Sequence, residues 1–169
     1  MSLFFIAGGI EMKLYLYEID PMYVKYLSQF EKEVYWSDGD KANRKYIGIV
    51  IEVNGVKYFA PLTSFKLKHK TMKETVDMIK ISDYAVINLN KMIPVPMGIY
   101  RRVEFRHIRN ESYKALLELE YREICKKANK IKKNANVVYN HKTTMGNSTA
   151  LAKRCNDFEK LEKLYKGYI

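Results

Sequence analysis

The sequence is poor in the side chains from which metal and redox sites are built: 169 residues contain two cysteines and three histidines. Cys125 and Cys155 have no neighbouring cysteine, so no zinc framework of the CxxC kind is available. Both fall on apolar faces of expected helices, which reads as buried, reduced thiols in a cytoplasmic protein. His69, His107 and His141 are scattered along the chain and do not suggest a two-histidine nuclease mechanism. No GxGxxG, phosphate-binding GxxxxGK or HExxH pattern occurs. Acidic clusters suited to a pair of magnesium ions are missing too, since Asp38 and Asp40 share one loop. Neither a cofactor nor a metal is expected. Apolar runs long enough to span a membrane are absent, and the patch at residues 3–6 lacks the basic region that opens a signal peptide. Met12-Lys13 reads as a native start, with residues 1–11 an extension or leader and residues 12–169 a single domain.

What the chain has in excess is positive charge and tyrosine. The formal net charge is +11, the pI about 9.5, and 14 tyrosines supply flat rings with polar tips. Cations interleaved with aromatic faces favour a nucleic-acid partner over an acidic protein or a membrane. The most ordered stretch is residues 46–70. Ile47-Gly48-Ile49-Val50-Ile51-Glu52-Val53 meets Asn54-Gly55 and returns through Val56-Lys57-Tyr58-Phe59-Ala60. Asn-Gly between two β-branched or aromatic runs marks a hairpin, because a type I′ turn needs φ > 0 at both central residues. The hairpin delivers Thr63, Ser64 and Lys66, then Lys68, His69 and Lys70, hydroxyls and cations suited to cradling phosphate.

Elsewhere, residues 13–19 alternate as a strand, and Asp20-Pro21 opens a short helix over residues 22–30. Residues 36–44, polar and glycine-containing, read as a loop. Residues 71–81 are helical or irregular, and further strands are expected at 84–89, 92–95 and 100–105. A helix over residues 111–133 carries an apolar stripe on one side and Lys126, Lys127 and Lys130 on the other, either a solvated surface or an RNA groove wall. Residues 134–147 read as a polar connection, and a last helix runs from about 148 to 166. Strands first and long helices last argue α+β, one strongly twisted antiparallel sheet with surrounding helices and a long C-terminal helix pair.

Phosphate chemistry without a metal is the chemistry these residues permit. RNA carries its own nucleophile: the ribose 2′-hydroxyl attacks the adjacent phosphate, leaving a 2′,3′-cyclic phosphate and a 5′-hydroxyl. The protein must then splay the strand and stabilise the charge that builds on phosphorus. Lys66 suits charge stabilisation, Ser64 and Thr63 can hold the phosphate or orient the 2′-hydroxyl, and Arg44 or Lys45 can grip flanking phosphates.

Ala60-Pro61-Leu62-Thr63-Ser64-x-Lys66 and Ile87-Asn88-Leu89-x-x-Met92-Ile93-Pro94, preceded by Tyr23-Val24-Lys25-Tyr26-Leu27 and Tyr46-Ile47-Gly48-Ile49-Val50, resemble the blocks of the ToxN/AbiQ endoribonuclease toxins, CptN-like members included, in the same order. The resemblance runs from Met12 to about Ile131 and is loose over the last forty residues. Some members carry tryptophan where this chain has Lys68. The resemblance implies a Kid/MazF-like, barrel-type sheet core and metal-independent cleavage at adenine-rich sites. It also implies a toxin that cuts a repeat RNA into antitoxin units, is inhibited by the resulting RNA pseudoknot and closes with it into a ring of two or three copies of each. Carried over by position, Ser64 is the essential hydroxyl, with Thr63 and Lys66 beside it. Tyr23 and Arg44 match RNA-contacting or active-site positions, Arg44 standing where another member has lysine. His69 aligns with a family histidine, and Lys45, Tyr46 and Lys68 complete the expected RNA contacts. Two other readings stay open: an RNA-binding module without catalysis, and a Kid/MazF-type ribonuclease neutralised by a protein antitoxin.

The charge balance makes a measurable demand. Log affinity for RNA should fall linearly with log salt, by on the order of 10³-fold between about 50 and 200 mM for about six phosphate contacts. Binding indifferent to salt in a filter or gel-shift titration would remove the basic groove.

Overall fold

The computed structural model describes residues 13–36 and 44–168. The extension expected at residues 1–11 and most of the expected loop at 36–44 therefore lie outside the described residues. The first element, β1 (Tyr15–Ile19), is followed directly by α1 (Pro21–Phe30). The Asp20 side chain accepts the Met22 backbone N–H at 2.9 Å, and Pro21 takes the first helical position, where no N–H is needed.

The hairpin forms as the Asn-Gly signal demands. β2 (Lys45–Val53) and β3 (Val56–Ser64) pair antiparallel, with Val53 opposite Val56 and both turn residues at positive φ, 50° at Asn54 and 80° at Gly55. After α2 (Leu67–Thr71) come β4 (Met78–Ile81), β5 (Ala85–Asn88), β6 (Ile93–Pro94) and β7 (Tyr100–Arg102). Among the described residues the sheet order is β4-β5-β3-β2-β1-β7, and every pair is antiparallel. β3 is paired along both edges: β2 covers one, while β6 and β5 divide the other at residues 58–59 and 62–64. The sheet stays open between β4 and β7, where the expectation was a barrel-type core; the α+β, antiparallel reading itself holds.

Both faces of the sheet are covered. On one, Leu14, Leu16, Ile47, Tyr58, Ala60 and Leu62 pack with Leu117, Ile124, Ile131 and Val138 of α3 (Glu111–Lys126) and α4 (Ala128–Met145). On the other, Ile19, Tyr46 and Phe59 pack with Tyr23 and Leu27 of α1. The last helix, α6 (Phe158–Gly167), gives Phe158 to the first cluster and Leu161 to the second, so it contributes to both cores.

The C-terminal half corrects several expectations. The long helix breaks at Lys127, where α3 ends and α4 begins. The polar residues 134–147, expected as a connection, mostly belong to α4. Its buried stripe is Ile131, Ala135, Val138 and Lys142, too thin in large apolar side chains to stand out in sequence. Residues 148–166 form two helices, α5 (Ala150–Arg154) and α6, and the uncertain residues 71–81 contain β4. Cys155 is buried as expected, but Cys125 is exposed. None of the described helices is long and apolar enough to cross a membrane.

Gly48 is fixed by packing. A Cβ at this position would run into the ring of Phe59, which sits opposite it in the ladder and is fully buried. Gly48→Ala should lower unfolding free energy by about 1–3 kcal/mol, the usual cost of overpacking a core, as a shift of the urea midpoint. An unchanged midpoint would show that Phe59 has room to move.

Candidate active site at the end of β3

Along β3 successive side chains leave opposite faces of the sheet. Tyr58, Ala60 and Leu62 point towards α3 and α4, and Phe59 points towards α1. The alternation sends Ser64 to the α3 side and Thr63 to the α1 side of the strand's last turn of pleat, so neighbours in sequence flank its end from two directions. Ser64 is exposed, and Thr63 is half-buried.

On the Thr63 side the structure assembles a compact polar group. Arg44, just before β2, donates from Nη2 to Thr63 Oγ1 at 2.9 Å, and Asn88, at the end of β5, donates from Nδ2 to the same oxygen at 3.1 Å. The guanidinium also lies over the exposed Tyr35 ring, 5.4 Å from its centroid. Lys80 pairs with Val86, which pairs with Thr63, so its side chain leaves the same face about 10 Å away, two strand spacings across.

On the Ser64 side a charged row crosses three strands. Lys45 Nζ contacts Glu18 at 2.7 Å, and Arg101 contacts the other oxygen of Glu18 at 2.9 Å. Burial alone would raise the Glu18 carboxyl, but the hydrogen bonds from Lys45 and Arg101 hold it below the usual range. Lys45 also stands over Tyr113, 6.0 Å from the ring centroid, at the start of α3. Two cations share one carboxylate, so the row keeps a positive balance beside the strand end.

The sequence-based site residues separate into groups. Arg44 and Thr63 are joined directly, and Ser64, Lys66 and Lys68 are exposed on the same chain reversal. Tyr23 and Tyr46, expected to touch RNA, are corrected to core residues. Tyr23 has no exposed surface and donates its hydroxyl to the Pro94 carbonyl, while Tyr46 is 5% exposed within the α1-side cluster. A large ring with one polar atom can be buried when that atom finds a partner, as the Tyr23 hydroxyl does. Lys127 reaches the Lys80 carbonyl at 2.6 Å and, with Lys130, the carboxylate of Glu74, whereas Lys126 lies on its own helix against Glu123. Lys127 and Lys130 therefore border the β4 edge of the site, and Lys126 is exposed on α3. Asn88 went unassigned in sequence because its partner lies 25 positions away; no short-range spacing signals such a bond.

His69 is buried and holds Lys66 in place instead of facing a ligand. Lys66 donates its backbone N–H to His69 Nδ1 at 2.8 Å, and His69 returns its own N–H to the Lys66 carbonyl at 2.8 Å. An accepting Nδ1 requires the neutral ring with its hydrogen on Nε2. Burial, then the charges of Lys68, Lys66 and Lys80, push the imidazole below its ordinary 6.5. The neutral ring's contribution is complete above pH 6.5 and is lost as pH falls from there through the folded value. In NMR titration His69 should protonate below 6.5, with the Lys66 amide resonance moving in step; a midpoint at or above that value would contradict the arrangement.

The comparisons with known proteins agree with this architecture. The family described as "Toxin ToxN, type III toxin-antitoxin system" matches residues 15–166. The endoribonuclease ToxN of Pectobacterium atrosepticum is 32% identical over 167 residues, covering 90% of this chain and 92% of that protein. A solved structure concerning a processed non-coding RNA that regulates a bacterial antiviral system superposes with a TM-score of 0.79 at 28% identity, over 93% of this chain and 99% of that one. AbiQ, a lactococcal anti-phage endoribonuclease of the type III toxin–antitoxin class, has the same fold, with a TM-score of 0.81 at 22% identity over 93% of this chain and 98% of that one. With an open sheet that ends in Thr63 and Ser64, and with the family's pattern matched from β1 into α6, the chain belongs to the ToxN toxins of type III toxin–antitoxin systems.

Proposed function

We propose that this chain is an endoribonuclease toxin that cuts RNA without a metal ion, at the end of β3. Family membership supports the activity, and the meeting of Arg44, Thr63 and Asn88 beside the exposed Ser64 supports the place. In the proposed step the 2′-oxygen of one ribose forms a bond to the adjacent phosphorus, and the bond from phosphorus to the 5′-oxygen of the next nucleotide breaks. The 2′-hydroxyl loses its proton and the departing 5′-oxygen gains one. Ser64 orients the attacking hydroxyl or the phosphate, while Thr63, Arg44 and Lys66 stabilise the charge that develops on the non-bridging oxygens. Among the described residues no three His, Cys, Asp or Glu side chains gather into a group that would hold a metal ion.

The substrates of this reading are adenine-rich RNAs, including the repeat precursor of the toxin's own antitoxin. One processed unit, folded as a pseudoknot, covers the site and closes with the toxin into a ring of two or three copies of each. Two solved structures similar to this chain concern a processed non-coding RNA that regulates a bacterial antiviral system and, in type III toxin–antitoxin systems, selective toxin inhibition by a non-coding RNA pseudoknot, which favours RNA over protein as the antitoxin. The basic border formed by Lys68, Lys127 and Lys130 is suited to phosphate contacts outside the cut.

Incubating the protein with a repeat RNA in EDTA and mapping the ends tests the chemistry. Cleavage should persist and leave 2′,3′-cyclic phosphates and 5′-hydroxyls. Ser64→Ala should slow it by at least about 10²-fold while RNA binding is retained. Products ending in a 3′-hydroxyl, or cleavage abolished by EDTA, would overturn the mechanism.

A further inference from the structure

The oxygen of Thr63 accepts two hydrogen bonds, and this restricts what the hydroxyl can do. A hydroxyl offers one hydrogen and two lone pairs. A guanidinium has no acceptor, so the Arg44 contact at 2.9 Å must occupy a lone pair of Thr63. Asn88 Nδ2, donating at 3.1 Å, occupies the second. Only the hydrogen remains. It can only point away from both donors, and an incoming acceptor is its remaining partner.

We propose that Asn88 is a positioning residue for RNA cleavage: by filling the second lone pair of Thr63 it turns that hydroxyl into a donor aimed at a non-bridging oxygen of the scissile phosphate. It also bars Thr63 from accepting the proton of the 2′-hydroxyl. The inference rests on Thr63 being a site residue, as proposed above. Charge supports it, since an oxygen polarised by a guanidinium is a stronger hydrogen-bond donor to a phosphate that becomes more negative as the reaction proceeds.

The support beneath Asn88 suits the task. The chain just after it is held from several sides: Leu89 donates its N–H to the Asp77 carbonyl at 2.8 Å, and Asn90 Nδ2 donates to the Arg154 carbonyl at 3.0 Å. Asn156 donates its backbone N–H to the Asn90 carbonyl at 2.8 Å and its side-chain amide to the Met92 carbonyl at 3.2 Å. Asp77 in turn accepts two bonds from the Arg154 guanidinium, at 2.7 and 2.8 Å. A side chain on so well-braced a strand end can hold a hydroxyl to within the tolerance that catalysis requires.

A double-mutant cycle reads the proposal. Asn88→Ala and Thr63→Val should each lower kcat for repeat-RNA cleavage by about tenfold or more, with KM within about twofold of the parent. Combined, they should be no slower than Thr63→Val alone, because Asn88 acts through Thr63. A merely structural role would give additive losses. Should the alanine variant fail to fold, judged by its melting curve, Asn88→Asp keeps the shape but replaces the donor with an acceptor. It should cost more with Thr63 present than in the Thr63→Val background, the effect of the added charge being common to both. If Thr63→Val is slow and Asn88→Ala is not, or if the losses add, the positioning role is wrong. If Thr63→Val itself cleaves at the parent rate, the assignment of Thr63 fails and takes this role with it.

Discussion

The double pairing of β3 is the constraint from which the remaining architecture follows. A strand hydrogen-bonded along both edges cannot slip by one residue without exchanging the side chains of its two faces, and here both faces are covered by helices. The register therefore settles that Tyr58, Ala60 and Leu62 enter one core and Phe59 the other. The same alternation then carries past the covered region and parts Thr63 from Ser64. What looks in sequence like a single cluster of hydroxyls becomes a pair flanking the strand end, each with its own cation: Arg44 bonded to Thr63, and Lys45 with Glu18 on the side of Ser64.

Positive charge around this end is organised by a few carboxylates. Glu18 takes Lys45 and Arg101, and Glu74 takes Lys127 and Lys130. Each group therefore carries one more cation than anion. Burial would raise the Glu74 carboxyl, but the hydrogen bonds from Lys130 and the Lys80 backbone, with the charge of Lys127, keep it below the usual range. The acids space the lysines and arginines without cancelling them, so a polyanion meets fixed positive groups at low ordering cost.

Much of this was legible in the sequence, and the exceptions have physical reasons. Asn54-Gly55 and Asp20-Pro21 act locally, and the hairpin and α1 appear where those residues place them. Arg44 and Thr63 could be singled out because they bracket the two strands of one hairpin. Burial was harder to read. Tyr23 and Tyr46 carry a polar atom, yet Tyr23 disposes of it inside the protein on the Pro94 carbonyl. The part of helix α4 beyond residue 133 was not legible because its inner stripe includes Ala135 and Lys142; the ammonium of Lys142 is buried but satisfied by the carbonyls of Gly146 and Ala152 and the side chain of Asn147. Asn88 falls in an expected strand, but its contact with Thr63 could not be read from sequence, since it comes from a strand pairing that brings residue 88 beside residue 63.

The bracing of the segment after β5 by Arg154 and Asn156 sets an order of events during synthesis. Residues 77 to 92 leave the ribosome well before residues 154 and 156, so Asp77, Asn90 and Met92 wait for these partners until the end of synthesis. The segment after Asn88 therefore takes its braced form only once Arg154 and Asn156 are in place, which ties the end of β5 to the last stretch of the chain to be made.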